Sequence, residues 1–112
     1  MVDHQTQQFI LVMITAPSED TAREIAHVLL EKKLAACVNL VPSVSSLYSW
    51  GGAVNEDDEI LLIVKSRVEL FEDRLVPAVQ QIHPYEVPEI IAVPILMGSK
   101  SFLDWIEEVT TV

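Results

Sequence analysis

Apolar runs alternate with polar punctuation along this chain, and the period of each run predicts its element. "QQFILVMITA" (7–16) is continuously apolar and β-branched up to Pro17, the pattern of a buried strand. Ser18 then stands where a helix cap belongs, with Glu19 and Asp20 in the first turn, where the helix dipole favours acids. Ala22, Ile25, Ala26, Leu29 and Leu30 keep the helical period, and Lys32 and Lys33 close a helix over roughly 19 to 33. "AACVNLVPSVSSLYSW" (35–50) alternates like a strand, with Pro42 marking a bulge or an unpaired edge. Gly51-Gly52 reads as a hairpin turn, and "DDEILLIVKSR" (57–67) as the return strand. Residues 68–82 place Leu70, Phe71, Leu75, Ala78, Val79 and Ile82 at helical spacing, with Pro77 inside, where it should kink the helix or open a hydrogen bond. His83-Pro84 stops that helix. "PEIIAVPILM" (88–97) is a fourth strand with a free edge at Pro94, and Ser99 or Ser101 caps a short last helix through Val109.

The order is βαββαβ plus a C-terminal helix. This predicts an α+β, ferredoxin-like sandwich: an antiparallel sheet with helices on one face and a long hairpin of the second and third strands. Nothing in the 112 residues calls for more than one domain, and residues 1–7 read as a flexible tail. Two strands this long, joined by so tight a turn, overhang a small domain. An isolated ribbon is marginal in water, so a second copy of the chain is the economical partner.

Composition sharpens this. Half of the residues are hydrophobic, more than a small domain hides in its own core, so the excess belongs on a subunit interface. The net charge of −10 argues against nucleic acid and against an anionic membrane surface. Cys37 is the lone cysteine, which excludes an internal disulfide and suits a reducing cytoplasm. The start "MVDHQTQQ" lacks the basic and apolar regions of a signal peptide, and Phe9–Ile14 is too short to span a bilayer. No nucleophile elbow or phosphate-cradling loop is present, so no enzymatic activity is expected.

The phrases "TAPSEDTAREIA" (15–26), "LLEKKLAACVNLVPSVSSLYSW" (29–50), "EDDEILLIVKSR" (56–67) and "HPYEVPEIIAVPI" (83–95) resemble the CutA family of divalent-cation tolerance proteins, from about Phe9 to Glu107. The resemblance implies a tight, heat-resistant homotrimer in which the long second and third strands pair across subunits. It also implies a role in copper or other divalent-cation tolerance. Two departures stand out. The lysine that the family usually carries just past the glycine after tryptophan is missing, since Trp50 is followed by Gly51, Gly52 and Ala53. Of the three positions that some members use for Cu(II), this chain has Ile14, Ile82 and His83, so one ligand survives.

Candidate chemistry concentrates in "IHPYEVPEII" (82–91). His83 is either a partly exposed metal ligand completed by other subunits or a complement to the helix dipole. Tyr85, Glu86 and Glu89 either line a cleft between subunits or serve as scaffold. In an extended stretch Tyr85 and Val87 face one way and Glu86 the other, with the glutamates solvated or paired to Lys65 or Arg67. Tyr48 and Trp50 share a face as interface anchors or cleft walls. Tyr48, Trp50, Lys65, His83, Tyr85, Glu86 and Glu89 form the candidate cleft. Cys37 reads as a small buried hydrophobe, Asp57 to Glu59 as a solvated strand end, His27 as exposed, and His4 as part of the tail. Two functions follow. One is weak Cu(II) or other divalent-cation binding in metal tolerance. The other is a trimeric sensor, similar at the level of fold to PII-type signalling proteins, that binds a small molecule between subunits and signals to a protein partner.

Overall fold

In the computed structural model, which describes residues 8–110, an antiparallel sheet carries two helices on one face and the end of a third on the other. Its strands are β1 (Phe9–Ala16), β2 (Cys37–Trp50), β3 (Ala53–Arg67) and β4 (Ile90–Pro94), in the order β2-β3-β1-β4. This is the predicted ferredoxin-like arrangement. Helix α1 (Glu19–Glu31) begins where Ser18 accepts a hydrogen bond from the Thr21 amide at 3.1 Å. It ends with Lys33 in the left-handed region (φ 59°), which lets the Leu34 amide reach back to the Leu29 carbonyl.

The second helix, α2, is wound in three pieces: Val68–Leu70, a π turn over Phe71–Leu75, and Val76–Ile82. Pro77 explains the middle piece. Its ring would collide with a carbonyl one turn earlier, so the backbone widens and the Val76 amide bonds to the Phe71 carbonyl five residues back. The proline thus adds a residue to one turn instead of breaking the helix. Helix α3 (Lys100–Val109) is capped by Ser99 and packs through Ile106 against Phe9 and Ala36. The Arg67 guanidinium clasps its end, donating to the Thr110 hydroxyl at 2.8 Å and carbonyl at 2.9 Å.

The core lies between the helices and one face of the sheet. Val12, Ile14, Leu62 and Val64 point into it beside Ile25, Leu29, Leu75 and Val79, all wholly inaccessible to solvent. Burying a side chain of this size contributes on the order of 1.5–3 kcal/mol. The other face is covered by α3 only at the end that carries Phe9 and Arg67. Leu11, Met13, Leu61 and Ile63 are only half-buried there, and Ile91 and Val93 are exposed.

Gly51 and Gly52 (φ 63° and 75°) make the two-residue turn, and both need the positive φ that glycine adopts freely. Past Ile60, the partner of Ala16, β2 and β3 have only each other. About seven residues of ribbon per strand, on the order of 23 Å, project from the body and stretch the chain to 47 × 30 × 25 Å.

Several boundaries differ from expectation. β3 begins at Ala53 rather than 57, because its acidic start pairs through backbone groups that are indifferent to side-chain charge. β4 covers only Ile90–Pro94 rather than 88–97, and lies at a sheet edge, as Pro94 suggests. Proline cannot donate to a ladder, which keeps the strand between its two prolines short. The expected tail, with His4, lies outside the described residues.

Candidate functional site

β1 stops at Ala16 while β3 runs on outward, and the 84–89 segment crosses beside the step this leaves. A groove of about 720 Å³ opens there. Tyr48, Trp50 and Tyr85 wall it, Glu59, Glu86 and Glu89 supply carboxylates, and Thr15, Ser45 and Ser46 supply hydroxyls. This volume is in the usual range for a small organic ligand. Among the described residues, no lysine, arginine or histidine lines it.

Local sequence explains how these groups meet. Pro42 and Ser43 bulge out of β2, with Ser43 at φ 63°, so that Val41 pairs with Leu61 but Val44 pairs with Glu59. From Val44 outward the register sets Ser46 opposite Asp57 and Tyr48 opposite Asn55, placing Tyr48, Trp50, Asp57 and Glu59 on one face of the ribbon. The Tyr48 hydroxyl donates to Asp57, and the Tyr85 hydroxyl donates to Glu59 at 2.8 Å.

Both phenols are pushed up from their ordinary pKa. For Tyr48 the hydrogen bond to Asp57 is the main cause; for Tyr85 it is desolvation, followed by the bond to Glu59. Each phenol keeps its proton and donates it to the carboxylate beside it. Glu59 is 6% exposed and draws no ion pair among the described residues. Glu86 and Glu89 stand exposed at the rim.

His83 corrects one expectation. Anticipated as partly exposed, it is buried at 7% exposure. Its Nδ1 accepts from the Tyr85 amide at 3.2 Å, so Nε2 carries the proton and donates to the Thr15 carbonyl at 2.7 Å. Both ring nitrogens are therefore committed inside the chain. The ring also stacks obliquely on Tyr85, with centroids 4.8 Å apart. This pinning curls residues 84–87 into bends, so Tyr85, Glu86 and Val87 all reach the groove instead of alternating away from it.

Of the candidate residues, the groove therefore collects Tyr48, Trp50, Tyr85, Glu86 and Glu89. His83 lies behind it as a positioning residue. Lys65 lies elsewhere, bonded to Asn39 beside Cys37 on the uncovered sheet face, and Cys37 itself is half-buried rather than buried. Arg67 is held by Glu69 and Thr110, so neither base pairs with Glu86 or Glu89. His27 is exposed, as expected.

Sequence reasoning missed Glu59, which read with Asp57 and Asp58 as a solvated strand end; Asp57 is exposed as expected, though it accepts from Tyr48. A usable signal existed: counting outward from a two-residue turn at 51–52 sets residue 57 opposite 46 and residue 59 opposite 44, on the face of Tyr48 and Trp50.

A chelated copper ion does not fit a single chain. Ile14 and Ile82 offer no donor atom, His83 has none to spare, and among the described residues no three His, Cys, Asp or Glu side chains converge on one point.

The family described as CutA1 divalent ion tolerance protein matches residues 10–109. The divalent-cation tolerance protein CutA of Thermus thermophilus is 51% identical over 100 residues, covering 89% of this chain and 96% of that protein. Protein CutA of Mus musculus is 45% identical over 101 residues, covering 87% of this chain and 54% of that longer protein. The solved T. thermophilus structure superposes with a TM-score of 0.89 at 50% identity, over 92% of this chain and 99% of that one. The periplasmic divalent cation tolerance protein CutA of Archaeoglobus fulgidus gives 0.88 at 45% identity, with the same coverage.

Proposed function

Because the chain belongs to the CutA1 family of divalent-ion tolerance proteins, we propose that it serves cation tolerance as a cytoplasmic homotrimer that binds a small ligand in the groove. Copper is not sequestered inside a subunit in this reading. Divalent ions meet only the loose attraction of the groove carboxylates.

The observation that carries the reading is continuity. The wall of the groove at Thr15 and Glu59 runs directly into the uncovered apolar face at Met13, Leu61 and Ile63. A further copy that covers this face therefore places the groove at a subunit boundary. The overhanging ribbon supports the same assembly, since Leu47, Tyr48, Trp50 and Val54 are exposed on it in a single chain. The outer edge of β2 is also long and unpaired, and an edge of that kind is normally covered. Burial on threefold-related neighbours at about 25 cal/mol per Å² outweighs association entropy only over a large area, as in obligate oligomers.

Among the described residues no helix is long and apolar enough to cross a membrane. The lone Cys37 suits a reducing compartment. Signalling to a protein partner is part of the proposal, as in trimeric small-molecule sensors of similar fold.

Sedimentation velocity joined to Cu(II) calorimetry tests the reading. It expects three chains per particle at micromolar concentration, and weak Cu(II) heats that His83→Ala leaves unchanged. A folded monomer would sink the trimer and the boundary groove together. Tight Cu(II) binding abolished by His83→Ala would restore a histidine metal site.

A further inference from the structure

The chain sets 7 lysines and arginines against 17 acids, so a base without an acidic partner is unexpected. Arg23, Arg67 and Lys100 form ion pairs with Glu19, Glu69 and Asp104, and Lys65 donates to Asn39. Lys32, Lys33 and Arg74 have no ion pair among the described residues. Lys32 and Arg74 line one recess of about 300 Å³, together with Leu34, Pro77, Ala78 and Gln81. No carboxylate of the described residues lines it.

Two local features build the recess. At the end of α1 the left-handed Lys33 turns the chain, so that Leu34 tucks under Lys32. On α2 the π turn ahead of Pro77 carries Arg74. Leu34 and Ala78 belong to the helix-covered core and form an apolar floor, while Lys32, Arg74 and Gln81 are exposed around it. The recess therefore opens on the helix side, and the sheet separates it from a copy seated on the bare face. The carbonyl end of α1 points here and by itself disfavours an anion. That end is largely quenched, because the carbonyls of Val28, Leu29 and Leu30 accept from the amides of Lys32, Leu34 and Lys33.

These groups narrow what the recess can take. A metal ion or an organic cation would meet two like charges and no carboxylate. An uncharged apolar molecule would cover the floor and leave both charges idle. An oxyanion on a short apolar stem uses both. The Arg74 guanidinium can give two parallel N–H donors to a carboxylate or phosphate, Lys32 adds a point charge, and the Gln81 amide adds a further donor. The stem lies on Leu34, Pro77 and Ala78. We propose that this recess is a second ligand site, which takes a small organic oxyanion, a carboxylate or phosphate on a short apolar stem, between Lys32 and Arg74. It stands independently of the groove.

The experiment titrates benzoate and phenyl phosphate, with benzyl alcohol as the uncharged probe, into the isotope-labelled full-length protein at low ionic strength. Backbone amide shifts in the nuclear magnetic resonance spectrum are followed. The amides of Leu34, Ala78 and Gln81 should move together and saturate with an anion, and that of Tyr85, in the groove, should not move. Lys32→Gln and Arg74→Gln should each weaken binding about threefold to fivefold, the upper range for a charge pair open to solvent. Lys33→Gln, one residue from Lys32 but outside the recess, should leave binding unchanged.

Saturation by only one of the two anions would support the proposal and identify the head group. Equal losses from Lys32→Gln and Lys33→Gln would mean diffuse attraction to surface charge and overturn it. An equal response to benzyl alcohol would remove the charged contacts and overturn it too. Shifts at Tyr85 with none at Leu34 and Ala78 would move the anion to the groove and remove the recess as a site.

Discussion

Leu62 and Ile63 are neighbours on β3, and they meet opposite surroundings. Leu62 is closed off under the helices; Ile63 looks out from the bare face of the sheet. The helix-covered half of the protein is finished by its own chain. The bare face and the ribbon beyond it are left open by it. The difference teaches that hydrophobicity along a strand does not by itself mean a core, and that periodicity alone does not separate a covered face from an open one.

The largest expected effect that tests this contrast is Leu62→Ala. It should cost about 2–5 kcal/mol, read by denaturant unfolding, through lost burial and the cavity left behind. Ile63→Asp should instead leave the helical circular-dichroism signal of the subunit in place and dissociate the assembly in sedimentation. A subunit unfolded by Ile63→Asp at every concentration would erase the distinction between the faces.

His83→Ala should come next, at about 1–3 kcal/mol, because it strands the Thr15 carbonyl and the Tyr85 amide without their partner. Pro84→Ala should cost about 1 kcal/mol by allowing the helix to run past His83, whose ψ of 133° marks its present end. An unmoved melting temperature would mean that the proline does not set that end.

A smaller effect belongs to the phenols. Their folded pKa values lie above the unfolded value near 10. The folded state therefore holds these protons more tightly than the unfolded chain. The stability they contribute is complete below about pH 10 and declines as pH rises above it. Absorbance titration should place both phenol titrations above pH 10; two ordinary tyrosine titrations would contradict the groove's hydrogen bonds. Smallest of all, His27→Asp on the exposed side of α1 should stay within about 0.5 kcal/mol. Trp50→Asp, equally accessible in one chain, should disrupt assembly.

Elements with a strong local signature were legible in the sequence. The first strand, the capped first helix, the glycine turn, the bulge at Pro42 and the stop at His83 each follow from a few adjacent residues. The family phrases legible at 15–26, 29–50, 56–67 and 83–95 all fall within the matched span. What escaped was set by partners distant in sequence. Tyr85 meets Glu59 across 26 residues, and His83 reaches Thr15 across 68. Local pattern placed Glu59 at a wet strand end and His83 near solvent, because nothing within a few residues of either announces its partner. Tyr48, Trp50, Tyr85, Glu86 and Glu89 could be named as cleft candidates because Tyr48 and Trp50 share a strand face and residues 82–91 crowd a phenol and two carboxylates between two prolines. Their true companion, Glu59, required strand register.

Pro42 and Ser43 reconcile two rival countings of the same ribbon. Counted from the body of the sheet, where Cys37, Asn39 and Val41 face Lys65, Ile63 and Leu61, the next odd-numbered residue, Ser43, would fall opposite Glu59. Counted back from the glycine turn, Val44 falls there instead, and the even-numbered Ser46, Tyr48 and Trp50 continue its face. The bulge absorbs the one-residue disagreement. A lost codon therefore has opposite meanings at the two ends. Deleting Ser43 straightens the strand and leaves the rings beside Glu59, because the count from the turn is untouched. Deleting Gly52 instead lets the bulge dissolve into regular pairing around a two-residue turn at Trp50-Gly51. Leu47 and Ser49 then take the face of Glu59, and Tyr48 goes to the reverse side. A lineage could thus exchange the side chains the ribbon presents beside Glu59 by an indel at the tip, without altering one residue of the sheet that supports it.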